Sequence, residues 1–186
     1  VSFPDRGHQT GIYVLPGGSP TAASYQQSPE VADYFREAEE KRRAIKGEWG
    51  RVTGSPGEIF PNTALHPRQP RSIAVWHPRG AHQTEVWRWY LVDAGAPYAV
   101  KDFLRQYYIR YSGPGGLTEQ DDMENWNYAH SASRGPIARR HPYNYELGIG
   151  ADRPDVPLPG MLTERINEEN ARGFYSGWSR AMEAEN

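Results

Sequence analysis

Between Gly115 and Trp126 the chain reads Gly115-Gly116-Leu117-Thr118-Glu119-Gln120-Asp121-Asp122-Met123-Glu124-Asn125-Trp126, a glycine turn running into a helical pattern that carries two adjacent carboxylates. Thr118 is placed to be the N-cap, Asp121 three residues on acts as a short capping-box acid, and Glu119, Asp121 and Asp122 suit the positive end of the helix dipole. Helical spacing separates the pair. Asp122, Trp126, Ala129 and His130 fall on one stripe at i, i+4, i+7 and i+8, while Asp121 and Glu124 point elsewhere. Asp122 is therefore expected to face inward, where a carboxylate needs a cation, a hydrogen-bond network or a metal to stay ionised. Adjacent residues on a helix diverge by about 100°, so Asp121 and Asp122 cannot flank one glycosidic bond. The sequence holds no Gly-x-Ser-x-Gly elbow, Walker loop or His-Glu-x-x-His helix, so metal chemistry at Asp122 is the sharper expectation beside the plain one of an acid at a helix start.

Several elements must position that turn. Ser28-Pro29-Glu30 opens a helix with a cap residue and proline at N1, its apolar stripe Val31, Tyr34, Phe35, Ala38 and Ile45, and Gly47 stops it. Ser72 to Trp76 and Glu85 to Val92 form an antiparallel hairpin through Pro78 to Gln83. Shorter strands are expected at Gly11–Leu15, Glu58–Phe60 and Tyr143–Gly148, with Arg51–Gly57 a turn-rich approach. Pro97 begins a helix with Val100, Phe103, Leu104, Tyr107, Tyr108 and Tyr111 on one face. A last helix, from Thr163 to Ala184, carries Ala171, Phe174, Tyr175, Trp178, Ala181 and Met182. Strands beside long helices without a βαβ rhythm predict an α+β fold, an antiparallel sheet covered by helices.

Composition narrows the function classes. With 186 residues, one domain is the expectation; a net charge of −2 gives no basic footprint for nucleic acid, and no apolar run approaches a membrane span. No secretory signal pattern opens the chain, so a cytoplasmic protein is expected. The absence of cysteine excludes disulfides, zinc-thiolate sites and any iron–sulfur cluster held by these residues. Six Trp and twelve Tyr at a mean hydropathy of −0.82 predict a core or pocket built from few, large side chains.

Thr118 to Trp126, Trp76-His77-Pro78-Arg79-Gly80, Glu85-Val86-Trp87 through Leu91-Val92-Asp93-Ala94, and Phe60-Pro61-Asn62 together resemble the C-terminal part of the catalytic domain of the large (alpha) subunit of Rieske non-heme iron aromatic-ring-hydroxylating dioxygenases. The likeness runs from about Gly7 to Trp178. It implies that residues 1–186 are one piece of that catalytic domain, with the Rieske domain and the helix bearing two histidine ligands absent, and that the fold is a helix-grip (START-like) sheet, incomplete here. It implies that Asp122 is the catalytic carboxylate ligand of a mononuclear non-heme Fe(II) site and that Asp121 is not. It places a substrate pocket at Gly54, Leu65, Tyr111, Ser112, Leu117 and Thr118, smaller and more polar at Ser112 and Thr118 than in relatives with aromatic residues there. His130 is read either as a second-shell partner of the site or as a packed core histidine; His77 and His82 read as strand-end and loop residues. The implied activity is cis-dihydroxylation of an aromatic ring with O2. Electrons would come from a reductase and ferredoxin through a Rieske [2Fe–2S] centre elsewhere in the subunit, which would assemble as a homotrimer, with or without beta subunits. The rival reading is a non-enzymatic helix-grip module that binds a small apolar ligand.

Overall fold

The computed structural model describes residues 1–14, 25, 27–151, 158–164 and 166–184, which divide into two units, Val1–Asp93 with Tyr145–Asn186, and Ala94–Asn144. In the first unit six strands form one antiparallel sheet, each pairing with its neighbour in sequence: β1 (Ser2–Phe3), β2 (His8–Val14), β3 (Val52–Ile59), β4 (Thr63–His66), β5 (Ser72–Pro78) and β6 (Thr84–Tyr90). The class is the α+β one expected, with helices α1 (Pro29–Lys46) and α4 (Glu169–Glu183) in the same unit. No helix among the described residues is long and apolar enough to cross a membrane.

The predicted hairpin is the longest uninterrupted ladder of the sheet, in register from Ser72 opposite Tyr90 to Pro78 opposite Thr84. Arg79 N donates to Gln83 O at 2.8 Å to close the loop. At its mouth Glu85 accepts hydrogen bonds from Trp87 Nε1 and from Arg79 Nε, both at 2.7 Å, and these donors, Trp87 first, hold its carboxyl below the usual range. His77 packs edge-on against Trp87, as a strand-end residue would, and His82 lies in the hairpin loop.

Three short-strand expectations need correction. The strand expected at Glu58–Phe60 begins at Val52, so Gly54, Pro56 and Gly57 are strand residues and not an approach to one. The ladder tolerates them because the β2–β3 register slips between Thr10 and Ile12, a bulge that admits proline. Glycine is needed there for close approach: a Cβ on Gly57 would sit 2.7 Å from Thr10 Cβ, and one on Gly54 would sit 2.9 Å from Pro67 Cγ. Strand β4 was not signalled by any run of alternating residues. At Tyr143–Gly148 there is no strand: Arg172 Nη1 donates to the carbonyls of Tyr145, at 2.5 Å, and Leu147, at 3.1 Å, and Glu168 takes the Leu147 amide at 3.0 Å. Side chains do there what a neighbouring strand would do. The strand candidate Gly11–Leu15 starts earlier, at His8, while Leu15, Pro16-Gly17-Gly18 and most of the following connector lie outside the described residues.

Helix α1 begins and ends where its cap residues dictate, with Ser28 extended at the N-cap, proline in the first turn and Gly47 at φ 55° as C-cap. Of its expected stripe only Val31 is buried; Tyr34 and Phe35 are half-buried, and Ile45 is exposed. Phe35 stacks on Tyr25 with ring centroids 4.6 Å apart. Tyr34 donates to Asp93 Oδ2 at 2.8 Å, and desolvation together with that carboxylate pushes the phenol up to about 12 from 10.0, against a smaller opposing pull from Arg71. A phenol whose folded value is raised contributes stability that is fully present below pH 10 and is lost as pH climbs towards 12. Denaturant melts across that window are expected to show a steeper alkaline loss for the parent chain than for Tyr34→Phe; parallel curves would refute the coupling.

The last helix was expected from Thr163 but starts at Glu169, because Asn167 Oδ1 accepts from Glu169 N at 2.8 Å and fixes the preceding residues as a turn. Its buried face is also different from the one expected. Gly173, Gly177 and Glu169 are buried, while Tyr175, Trp178, Ala181 and Met182 are exposed. The helix backbone rests directly on β1 and the turn after it, and Ser2 bridges to Met161 through paired amide bonds of 2.9 and 2.8 Å.

Candidate functional site

In the second unit α2 (Tyr98–Ser112) follows Pro97 as predicted, burying Val100 and Leu104 from the expected stripe. It stops at Gly113, where a Cβ would lie 2.4 Å from Ile109 O. The chain then doubles back over the end of α2 so that the carbonyls a helix leaves unsatisfied are taken up by the turn. Gly113 N donates to Ile109 O at 3.0 Å, Leu117 N to Arg110 O at 2.9 Å, and Thr118 N to Tyr111 O at 3.2 Å. Gly116 N reaches Gly113 O at 2.7 Å, and any side chain on Gly116 would meet the carbonyl oxygens of Gly113, Tyr111 and Arg110 at 2.9–3.0 Å. That crowding of oxygens is the physical reason for glycine at Gly113 and Gly116.

Helix α3 (Gln120–Ser133) follows, with Glu119 and not Thr118 at the N-cap and no side-chain capping bond. The Thr118 amide is bonded to Tyr111 O of α2, and the cap falls one residue later than expected. Asp121 and Asp122 both lie in the first turn, where the dipole favours anions.

The expectation that Asp122 faces inward is not met. No residue of α3 is buried, and Asp121 to Ala132 are all exposed, Trp126, Ala129 and His130 on the same stripe included. Among the described residues the predicted stripe is uncovered; a neighbour of α3 is the short 3-10 turn Ala138–Arg140. Among the described residues the Asp122 carboxylate has no ion pair or hydrogen bond, so its oxygens are free to take a ligand. His130 is not a packed core histidine, and it stands eight residues further on, roughly 12 Å along the axis, beyond direct hydrogen-bonding reach of Asp122.

The pocket candidates separate by unit. Gly54 and Leu65 are on the adjacent strands β3 and β4 of the first unit, where Leu65 pairs with Gly57 and is partly exposed. Tyr111, Ser112, Leu117 and Thr118 gather where α2 meets the glycine turn in the second. Leu117 is 89% exposed, the most solvent-accessible of the set, and Thr118 is half-buried. Ser112 Oγ is screened from solvent without a hydrogen-bond partner. Sequence reasoning passed over Gln120, whose amide nitrogen donates to Gly113 O and whose Oε1 is buried and unpartnered. A polar residue of that length at the first helical position, seven residues after a helix-stopping glycine, was the signal available.

A metal test on donor chemistry gives a partial fit. Asp122 can offer one hard oxygen, but among the described residues no group of three or more His, Asp or Glu side chains converges on a common point. These residues do not make a closed metal site by themselves.

The family model for the ring hydroxylating alpha subunit (catalytic domain) matches residues 2–184. This chain belongs to that family. It is 37% identical over 182 residues to the biphenyl 2,3-dioxygenase subunit alpha of Rhodococcus jostii (strain RHA1), covering 95% of this chain and 39% of the relative. It is 36% identical over 183 residues to the benzene 1,2-dioxygenase subunit alpha of Pseudomonas putida, covering 95% and 40%. The chain thus spans about two fifths of the length of these relatives. Its fold is similar to that of naphthalene 1,2-dioxygenase from Rhodococcus sp. bound to indole, with a TM-score of 0.74 and 28% identity over all of this chain and 45% of that one.

Proposed function

We propose that this chain serves as part of the catalytic domain of an aromatic-ring-hydroxylating dioxygenase, with Asp122 as its contribution to a mononuclear non-heme iron site. The observation that carries the reading is the conjunction of a family match over residues 2–184 with a rigidly turned helix start that presents Asp122 unpaired to solvent. When bound in a two-histidine, one-carboxylate set, iron supplies open positions at which dioxygen is activated. The remaining ligands, a Rieske [2Fe–2S] cluster and the electron supply from ferredoxin and reductase belong to parts of the subunit and of the system outside these residues. A homotrimer of such subunits, with or without beta subunits, in the cytoplasm completes the proposal.

In this reading Ser112 and Thr118 at the turn, with Tyr111 and Leu117 beside them, shape one wall of the aromatic pocket. The exposed Leu117 supplies apolar surface, and the small Ser112 and Thr118 leave space that a larger side chain would take. Such a pocket suits a planar apolar ring that needs orientation more than charge recognition.

The full-length subunit, supplied with reducing equivalents and isotopically labelled dioxygen, is expected to convert mono- or bicyclic aromatics to cis-dihydrodiols that carry two labelled oxygen atoms. Product analysis by mass spectrometry reads this directly. Tight binding of aromatics with no oxygenated product would sink the dioxygenase reading in favour of a ligand-binding module.

A further inference from the structure

We infer that Gln120 is a positioning residue that fixes where Asp122 stands, an inference that rests on the role of Asp122 proposed above. The carbonyl of Gly113 is shared between two donors, the Gly116 amide and the Gln120 side-chain nitrogen. Only one orientation of the Gln120 amide fits, since its oxygen turned towards Gly113 O would oppose acceptor to acceptor. Gly113 itself is buried, and its amide is bonded to Ile109 O at the end of α2. The other end of the amide, Oε1, is screened from solvent.

Gln120 is the first residue of α3, and Asp122 follows in the same turn, so any rotation of that turn carries both side chains together. The N-cap residue Glu119 contributes no side-chain bond to the free amides of the helix. Backbone bonds hold Leu117 and Thr118 to α2, but they end before the helix begins. The Gln120 amide is a bond that passes this anchoring across Glu119 into α3. A carboxylate ligand placed within a fraction of an ångström needs such a support, because a helix entry free to twist would spread its oxygens over many positions.

The test uses the full-length subunit purified with its metal, in the forms Gln120→Leu, Gln120→Glu and Asp122→Ala, each read by amide hydrogen exchange over residues 116–123 and by iron content per subunit. Gln120→Leu keeps the bulk and removes the donor; Gln120→Glu keeps the length and sets a carboxylate against the Gly113 carbonyl. Both are expected to speed exchange in the turn several-fold and to lower bound iron several-fold at a temperature where each variant is folded. Asp122→Ala is expected to lose iron with the exchange of Gly116, Leu117 and Thr118 unchanged. If Asp122→Ala loses iron while both Gln120 variants hold the parent's iron content or the parent's exchange pattern, the inference is overturned and the role of Asp122 survives. Should Asp122→Ala retain its iron, the assignment of Asp122 fails, and with it the inference.

Discussion

Gly177→Val is expected to destabilise the chain by about 3 kcal/mol or more. A Cβ on Gly177 would lie 2.6 Å from Gly7 Cα and 3.0 Å from Gly7 N, so the clash is with backbone, which cannot rotate out of the way. Gly7 is itself held at φ 70° against the Phe60 ring, which leaves it no retreat. Gly177→Ala should also lose stability, even though alanine gains about 1 kcal/mol in intrinsic helix propensity. Gly173 provides the internal comparison, because its Cβ would meet chiefly the hydroxyl of Ser2, the rotatable end of a small side chain. Gly173→Ala is therefore expected to fall nearer to neutral than Gly177→Ala. Denaturant melts of the three variants check this, and equal losses at the two glycines would show that backbone contact is not what sets the cost.

For the chemistry, Asp122→Ala in the full-length subunit is expected to lower product formation by more than about 100-fold and to strip the mononuclear iron, because a ligand's removal exceeds the effect of losing its supports. Asp121→Ala should lose only an interaction with the helix N-terminus, about 0.3–1 kcal/mol, and keep its iron. Both carboxylates lie in the first turn of an exposed helix, so burial does not distinguish them and direction does. Iron content and turnover measured side by side decide the matter, and a swap of the two phenotypes would move the ligand assignment to Asp121.

The parts of this fold that were legible in the sequence are those written locally. Ser28-Pro29 and Gly47 delimit α1, Pro97 and Gly113 delimit α2, and alternation from Ser72 to Tyr90 yields the hairpin, because caps, prolines and period-two patterns act within a few residues. What escaped depends on partners far along the chain. The strand character of Gly54, Pro56 and Gly57 comes from a bulged pairing with β2, the irregular segment near Tyr145 is held by Arg172, and the glycine face of α4 exists to meet β1 and the turn at Gly7. The aromatic stripe of α4 was a sound periodicity read in the wrong direction, since glycine contributes nothing to a hydrophobic pattern. At the candidate site the spacing puts Asp122, Trp126, Ala129 and His130 on one stripe of α3, but spacing cannot say whether a stripe is covered, and this one is exposed. The Gln120 amide was hidden for a related reason, since its partner is a backbone carbonyl that no sequence pattern displays.

The nearest-neighbour order of the six strands bears on how this polypeptide reaches its native state. Every strand pairing from β3 to β6 joins segments a short loop apart, so that part of the sheet is able to zip hairpin by hairpin at little entropic cost. Helix α4 is the exception: Arg180 bonds to the carbonyl of Pro4 across a separation of 176 residues. Its docking closes nearly the whole chain into one loop and is rewarded only after the β1–β2 edge exists to receive the glycine face. The sheet's sequential core is therefore expected to assemble early, with attachment of α4 the late, topologically expensive event.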